Sequence, residues 1–136
     1  MLIILADCYT PLLAIICAVY LKPELTAEFK KNLTEQRLIW AFLLAYCYVY
    51  LFASVESHFD WWLSMGGNFS SHTAAVVVLG IAILRVNSKA GIIAFISIIA
   101  YGYLMTILSY HSWFDVLSTL FICTPCWWVL SSLKRT

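Results

Sequence analysis

The chain has 136 residues and a formal net charge of +1, with 63% hydrophobic and only 11% charged residues. A soluble domain carries roughly 25% charged residues, so this composition excludes a soluble enzyme and a disordered tail. The near-neutral charge also excludes a nucleic-acid partner, because phosphate backbones are bound by clustered Lys and Arg. The sequence therefore predicts one membrane-embedded domain over residues 1–136.

Five apolar stretches follow one another along the chain. A helix needs about 20 mostly apolar residues to cross a hydrocarbon core of about 30 Å. After the first stretch, Leu25, Phe29 and Leu33 recur at i, i+4 and i+8 among charged residues, which predicts a short helix on the membrane surface. The expected fold is an all-α bundle with a surface helix over 25–37 and five transmembrane helices over 1–21, 38–54, 73–86, 91–109 and 112–130.

The basic residues indicate the orientation of this bundle. All eight lie on one side of the five-span arrangement, within 22–37, 85–89 and 134–135. Short cytoplasmic loops carry an excess of Lys and Arg, so we expect the N-terminus outside and the C-terminus in the cytoplasm. The expected location is the plasma or inner membrane, with 55–72 and 110–111 on the outer or periplasmic side.

All five cysteines lie within apolar runs, which predicts small buried side chains rather than disulfides. Cys123 and Cys126 have the spacing of a redox motif. Because they lie inside a predicted span, we interpret this segment as a helix kinked by Pro125.

The three histidines, His58, His72 and His111, all lie at the predicted outer face. Ionisable groups at the end of a span are costly and indicate a functional site. His111 and Asp115 are four residues apart and so share a helix face, where a carboxylate can fix the imidazole tautomer. The pair predicts a nucleophilic or general-base histidine. The alternative is a boundary pair that only satisfies its own hydrogen bonds.

His72 opens the third span after the loop segment Asn68-Phe69-Ser70-Ser71. The N-terminus of a helix offers unpaired N–H groups and a partial positive charge, which suit a phosphate group. Ser70 and Ser71 are also ordinary N-cap residues, so their presence alone has a purely structural explanation.

The outer face also combines carboxylates with aromatic rings, a combination that suits a quaternary ammonium group through cation–π contact. This pattern predicts a choline- or ethanolamine-bearing headgroup as ligand, the alternative being an ordinary aromatic belt. The residues concerned are Glu56, Asp60, Trp61, Trp62, Tyr110 and Trp113.

Two segments, Ser70-Ser71-His72-Thr73 and, one hairpin later, His111-x-x-x-Asp115, resemble the last two motifs of the type-2 phosphatidic acid phosphatase superfamily. In detail they look most like its sphingomyelin-synthase branch. The resemblance covers roughly 38–130. It implies that His111 takes the phosphoryl group, Asp115 orients it, and His72 protonates the leaving alcohol.

The chain departs from this family's pattern at its cations and at two loop positions. Phe69 and Ser71 replace the Pro and Gly of the P-S-G-H motif, and Met105 replaces the Arg that precedes the nucleophile. The first basic motif has no counterpart in 45–60. Phosphate charge would then be held by a helix N-terminus, hydroxyls, His58 or a metal, although no metal site or cofactor is predicted.

The sequence thus predicts a membrane lipid phosphatase or phosphotransferase, a hydrolase of phospholipid metabolism acting through a phosphohistidine. The expected catalytic residues are His72, His111 and Asp115, and the expected substrate-binding residues are Glu56, His58, Asp60, Trp62, Asn68, Ser70, Ser71 and Trp113. Two alternatives stay open: a catalytically degenerate lipid-binding or assembly subunit, and a haem protein ligated by His72 and His111. The expected partners are a membrane lipid and, in a homodimer, a second copy of the chain.

Overall fold

The computed structural model describes residues 2–30 and 36–132. Within these ranges the chain is helical, with no β-strand. The helices are α1 (Leu2–Phe29), α2 (Arg37–Phe59), α3 (Trp61–Ser64), α4 (Ser71–Val86), α5 (Ser88–Ile107), α6 (Trp113–Ile122) and α7 (Thr124–Ser131).

Three helical stretches in the described part are long and apolar enough to cross a membrane, namely Arg37–Phe59, Ser88–Ile107 and Trp113–Ser131. Ser71–Val86 is apolar but shorter. The chain therefore has the helices of an all-α membrane protein.

Helix α4 is the centre of the bundle. Helices α1, α2, α5, α6 and α7 all contact it, and its residues from Thr73 to Ile83 are all buried. A helix that is apolar on every side belongs in such a position. Ser71 and His72, which open α4, lie outside this buried stretch: Ser71 is half-buried and His72 is exposed.

Small residues let α4 and α5 approach closely, as is usual between membrane helices. A Cβ atom on Gly91 would lie 2.2 Å from the Cα atom of Leu84. A Cβ on Gly80 would lie 2.8 Å from the Cδ1 atom of Ile98. The hairpin between α4 and α5 is therefore specified by its glycines, and it fixes the positions of the loops that precede α4 and follow α5.

Helix α1 is longer than the sequence predicts. Residues 25–29, expected in a separate surface helix, continue α1 through Pro23, and the rest of that segment includes 31–35, outside the described residues. Glu24 pairs with Arg85 of α4, while Glu28 Oε2 accepts the N–H of Leu38 at 3.1 Å. These contacts hold the charged end of α1 against the bundle.

The last predicted span is interrupted at Cys123, between α6 and α7. Pro125 has no N–H to donate to the carbonyl four residues earlier, and this ends the ladder of hydrogen bonds. Cys17, Cys123 and Cys126 are buried, as expected, whereas Cys8 and Cys47 are exposed on the outside of the bundle. All five cysteines are free.

Candidate active site

The first turn of α4 is held by Ser70, which caps the helix. Its Oγ atom accepts the N–H of Thr73 at 3.2 Å and lies 2.8 Å from Thr73 Oγ1. Ser70 is only 1% exposed, so its hydroxyl serves the helix and is closed to a ligand. The cap leaves Ser71 and His72 at the open end of the helix, where first-turn N–H groups favour an anion.

The first turn of α6 is held by a capping box. The Oγ atom of Ser112 accepts the N–H of Asp115 at 3.2 Å, and Asp115 Oδ2 accepts the N–H of Ser112 at 2.7 Å. The second carboxylate oxygen, Oδ1, accepts the N–H of Asn68 at 2.6 Å. One buried carboxylate thus joins the loop before His72 to the loop that carries His111.

Gly67 makes this junction possible. A Cβ atom at this position would lie 2.7 Å from Asp115 Oδ1 and 2.9 Å from the ring of Phe114. The Phe114 ring is exposed and can move, but the Asp115 carboxylate is buried and held by the N–H groups of Asn68 and Ser112, so the loop approaches α6 this closely only with glycine here.

His72 and His111 line the same cavity, which has a volume of about 610 Å³. Ser71 and Met105 line it as well, together with Thr10 of α1 and Tyr50 of α2. Met105 stands where the resembled family has a phosphate-binding Arg, so the position faces the cavity while the charge is missing. No Lys or Arg in the described part of the chain lines this cavity.

The His111 imidazole is partly buried and lies near the Asp115 carboxylate. Its Nδ1 atom lies 3.7 Å from Asp115 Oδ2, too far for a hydrogen bond, and is buried with no hydrogen-bond partner. Burial lowers the pKa of His111 below its ordinary value, and the Asp115 carboxylate opposes this shift without cancelling it. The shift favours the neutral ring, which is the form a nucleophile requires.

A second cavity of about 330 Å³ adjoins the first and is lined by Glu56, Asp60 and Asn68. Ser71 lines both cavities. Glu56 is 7% exposed, with Oε1 accepting the N–H of Trp62 at 2.6 Å and Oε2 buried without a partner. Among the described residues no group of three or more His, Cys, Asp or Glu side chains is placed to hold a metal ion. The carboxylates of Glu56 and Asp60 in this second cavity suit an organic cation.

Three further residues that the sequence suggests as substrate ligands lie outside both cavities. His58 is exposed and packs edge-to-face on Phe59. Trp62 is buried, and its indole N–H donates to Ser118 Oγ at 2.7 Å. Trp113 is 46% exposed beside Tyr103. Neither these three side chains nor that of Ser70 forms part of the walls of the two cavities.

Sequence reasoning missed the contribution of the first two helices to the main cavity. Thr10 and Tyr50 lie within apolar spans, where neither spacing nor charge marks them. The Thr10 Oγ1 atom is buried without a hydrogen-bond partner, which is unusual for a buried hydroxyl. Only the packing of α1 and α2 against α4 reveals these residues.

Neither a family model, nor a curated protein, nor a solved structure matches this chain. The resemblance to the type-2 phosphatidic acid phosphatase superfamily therefore rests on the motifs around His72 and His111. What the site can do is argued from its own geometry and chemistry.

Proposed function

We propose that this protein is a membrane lipid phosphatase or phosphotransferase that works through a phosphohistidine on His111. The observation that carries the proposal is the single cavity lined by two histidines, one of them partly buried beside a carboxylate. Displacement at phosphorus needs a nucleophile on one side and an acid on the other. Two imidazoles on one cavity supply both.

In the first step the neutral His111 nitrogen attacks phosphorus, and the bond from phosphorus to the lipid alcohol oxygen breaks. His72 donates a proton to that oxygen, and the lipid alcohol leaves. In the second step His72 takes a proton from water or an acceptor alcohol, whose oxygen attacks the phosphohistidine. From a phosphomonoester the products are the free lipid alcohol and either phosphate or a new phosphate ester. From a phosphodiester the headgroup stays on phosphorus, and the second product is a phosphomonoester or a new diester. Both histidines return to their starting state.

In this proposal, neutral hydrogen-bond donors stabilise the negative charge of the phosphoryl group. The N-terminus of α4 and the hydroxyl of Ser71 lie at the cavity, and helix N-termini stabilise anions. Without a Lys or Arg among its described lining residues, the cavity fits a phosphodiester with one negative charge better than a doubly charged monoester. The neighbouring Glu56 and Asp60 would hold a choline or ethanolamine group.

The proposal places the site at the non-cytoplasmic face of a five-span bundle whose N-terminus is outside. Its support is the one-sided distribution of Lys and Arg. In this arrangement α1 and α4 cross the membrane with the three helices that are long and apolar enough to do so. The membrane would be the plasma or inner membrane, and a homodimer would complete the cleft.

The second candidate function is a lipid-binding or assembly subunit that has lost catalysis. The observation in its favour is Met105, an apolar side chain at the cavity position where the resembled family has its Arg. The two candidates share the cavity and its lipid ligand, and they differ in turnover.

The test is turnover of labelled phosphatidylcholine and phosphatidic acid by purified protein in vesicles. We expect His111→Ala to abolish turnover. His58→Ala, a matched change at an exposed histidine outside both cavities, should leave it unchanged. His72→Ala should lose turnover of the natural lipid, while an aryl phosphate, whose leaving group needs no acid, should still release its phenol in the first step and phosphorylate His111. A folded wild-type protein with no turnover would favour the subunit, and equal turnover in His111→Ala would exclude the mechanism.

A further inference from the structure

An apolar groove of about 370 Å³ runs between α1 and α2. Its lining includes Ala14 and Ala18 of α1, Phe42, Leu43 and Tyr46 of α2, and Leu79 of α4. Ala14, Ala18 and Leu43 are exposed, so the groove opens sideways, towards the lipid that surrounds a membrane helix. It is a separate space from the two polar cavities of the candidate active site.

The groove begins one helical turn away from the histidine cavity on all three of its helices. Thr10, Tyr50 and Ala75 line the cavity. The residues four positions deeper on the same helices, Ala14, Tyr46 and Leu79, line the groove. Residues four apart lie on one helix face, about 6 Å apart along the axis. The two spaces therefore follow one another in the same cleft.

The dimensions of the groove suit an extended hydrocarbon chain. From Tyr50 at the cavity to Ile39 at the far end of the groove, α2 rises about 16 Å. Ile39 lies in the first turn of α2, so the groove follows this helix to the end opposite the cavity. The gap exists because α1 presents only methyl groups at Ala14 and Ala18, one turn apart.

We infer that this groove holds one acyl chain of the lipid substrate, with the phosphoryl group of the same molecule between His72 and His111. The inference rests on the proposed function, and it adds the substrate class: a lipid with a long chain that enters sideways between α1 and α2. A headgroup at the cavity places the first methylenes of its chain at Ala14 and Tyr46. The rate of turnover then depends on the length of the acyl chain of the lipid.

Ala18→Phe tests the inference, because it fills the groove without touching the cavity. The matched control is Ala100→Phe, at an exposed position of α5. Both variants are compared with wild type on dihexanoyl and dioleoyl forms of phosphatidylcholine and phosphatidic acid. Because overpacking a fitted space is costly, we expect Ala18→Phe to lower kcat/KM for the dioleoyl lipid about 10-fold or more relative to the dihexanoyl lipid. Ala100→Phe should leave that ratio unchanged.

If the wild type is active and Ala18→Phe leaves the ratio of kcat/KM for the dioleoyl and dihexanoyl lipids unchanged, the groove does not hold the chain. The proposed function would stay intact. A photoactivatable phosphatidylcholine with a diazirine near the end of one chain gives a readout that needs no turnover. We expect it to label the walls of the groove in wild type and to lose that labelling in Ala18→Phe. Labelling of the groove by an inactive wild type would refute catalysis and support the chain site. Labelling spread evenly over the exposed face of α5 would overturn the inference.

Discussion

Asp115 carries out two tasks at the residue scale. It caps α6 and accepts the N–H of Asn68, so it fixes both loops of the site, and it lies 3.7 Å from the His111 ring. The i, i+4 spacing predicts a hydrogen-bonded pair on one helix face, but His111 precedes the first residue of α6 and its Nδ1 atom lies beyond hydrogen-bond distance of the carboxylate. No local pattern predicts the bond to Asn68, which is 47 residues away. Sequence reasoning thus found the residue and its nearness to His111, while the hydrogen bonds of Asp115 go to the backbone of the two loops.

The protonation of His111 gives a pH prediction. Burial lowers the pKa of its imidazole, so the neutral, nucleophilic form persists below the ordinary histidine pKa of about 6.5. We expect kcat/KM to fall on the acid side with a midpoint below that value, because protonation removes the attacking lone pair. A pH–rate profile of the wild type measures this midpoint. A midpoint above 6.5 would contradict a nucleophile in this environment.

The apolar side chain at Met105 gives a second prediction at this scale. Met105→Arg would bring a guanidinium to a cavity with no cation among its described lining residues, and charge-assisted hydrogen bonds to phosphate are strong. We expect kcat/KM for phosphatidic acid to rise about 10-fold or more, since hydrogen bonds to charged groups contribute roughly 1.5–3 kcal/mol. Met105→Leu is the neutral control. No gain in a variant that folds would argue against a phosphate at this wall.

At the scale of elements, the sequence predicts which segments are helical, but it does not predict where each helix ends. The hydrophobic runs locate α2, α4 and α5 to within a few residues, because apolar length decides them. Helix α1 continues to Phe29 because Glu24 and Glu28 find partners on α4 and α2. Such tertiary contacts leave no trace in the local pattern, which predicted a break between residues 21 and 25.

The close approach of α4 and α5 gives an element-scale prediction. In Gly91→Ala the new methyl group would lie 2.2 Å from the Leu84 backbone, so the helices must separate. We expect a clear loss of thermal stability, of the size found for overpacked cores, about 1–3 kcal/mol. Gly102→Ala is a milder control, because its methyl group meets only a Val116 side-chain carbon at 3.3 Å. Thermal unfolding in detergent compares the two, and equal stability would contradict the packing at Gly91.

At the scale of the whole molecule, the sequence predicts the class of fold, an all-α membrane protein, from its composition and the lengths of its apolar stretches. The convergence of Thr10, Tyr50, His72 and His111 on one cavity depends on how α1 and α2 pack against α4. That packing joins residues as much as 101 positions apart, which no local periodicity encodes.

Topology gives the whole-molecule prediction. With five spans and the basic residues inside, a single cysteine at Ser64 should react with an impermeant thiol reagent from outside intact cells. A single cysteine at Lys89 should react only after the membrane is opened. Both are placed in a background without the five native cysteines. External labelling at position 89 but not at position 64 would reverse the orientation and move the site to the cytoplasmic face.

The most direct test of the catalytic account is to trap the covalent intermediate. Protein in vesicles is mixed with phosphatidic acid or phosphatidylcholine labelled at phosphorus, stopped in alkali within one turnover, and mapped by peptide. The account predicts an acid-labile, alkali-stable label on His111 that is retained in His58→Ala and absent in His111→Ala. Turnover of lipid with no label on His111, or with label on any other residue, would contradict it.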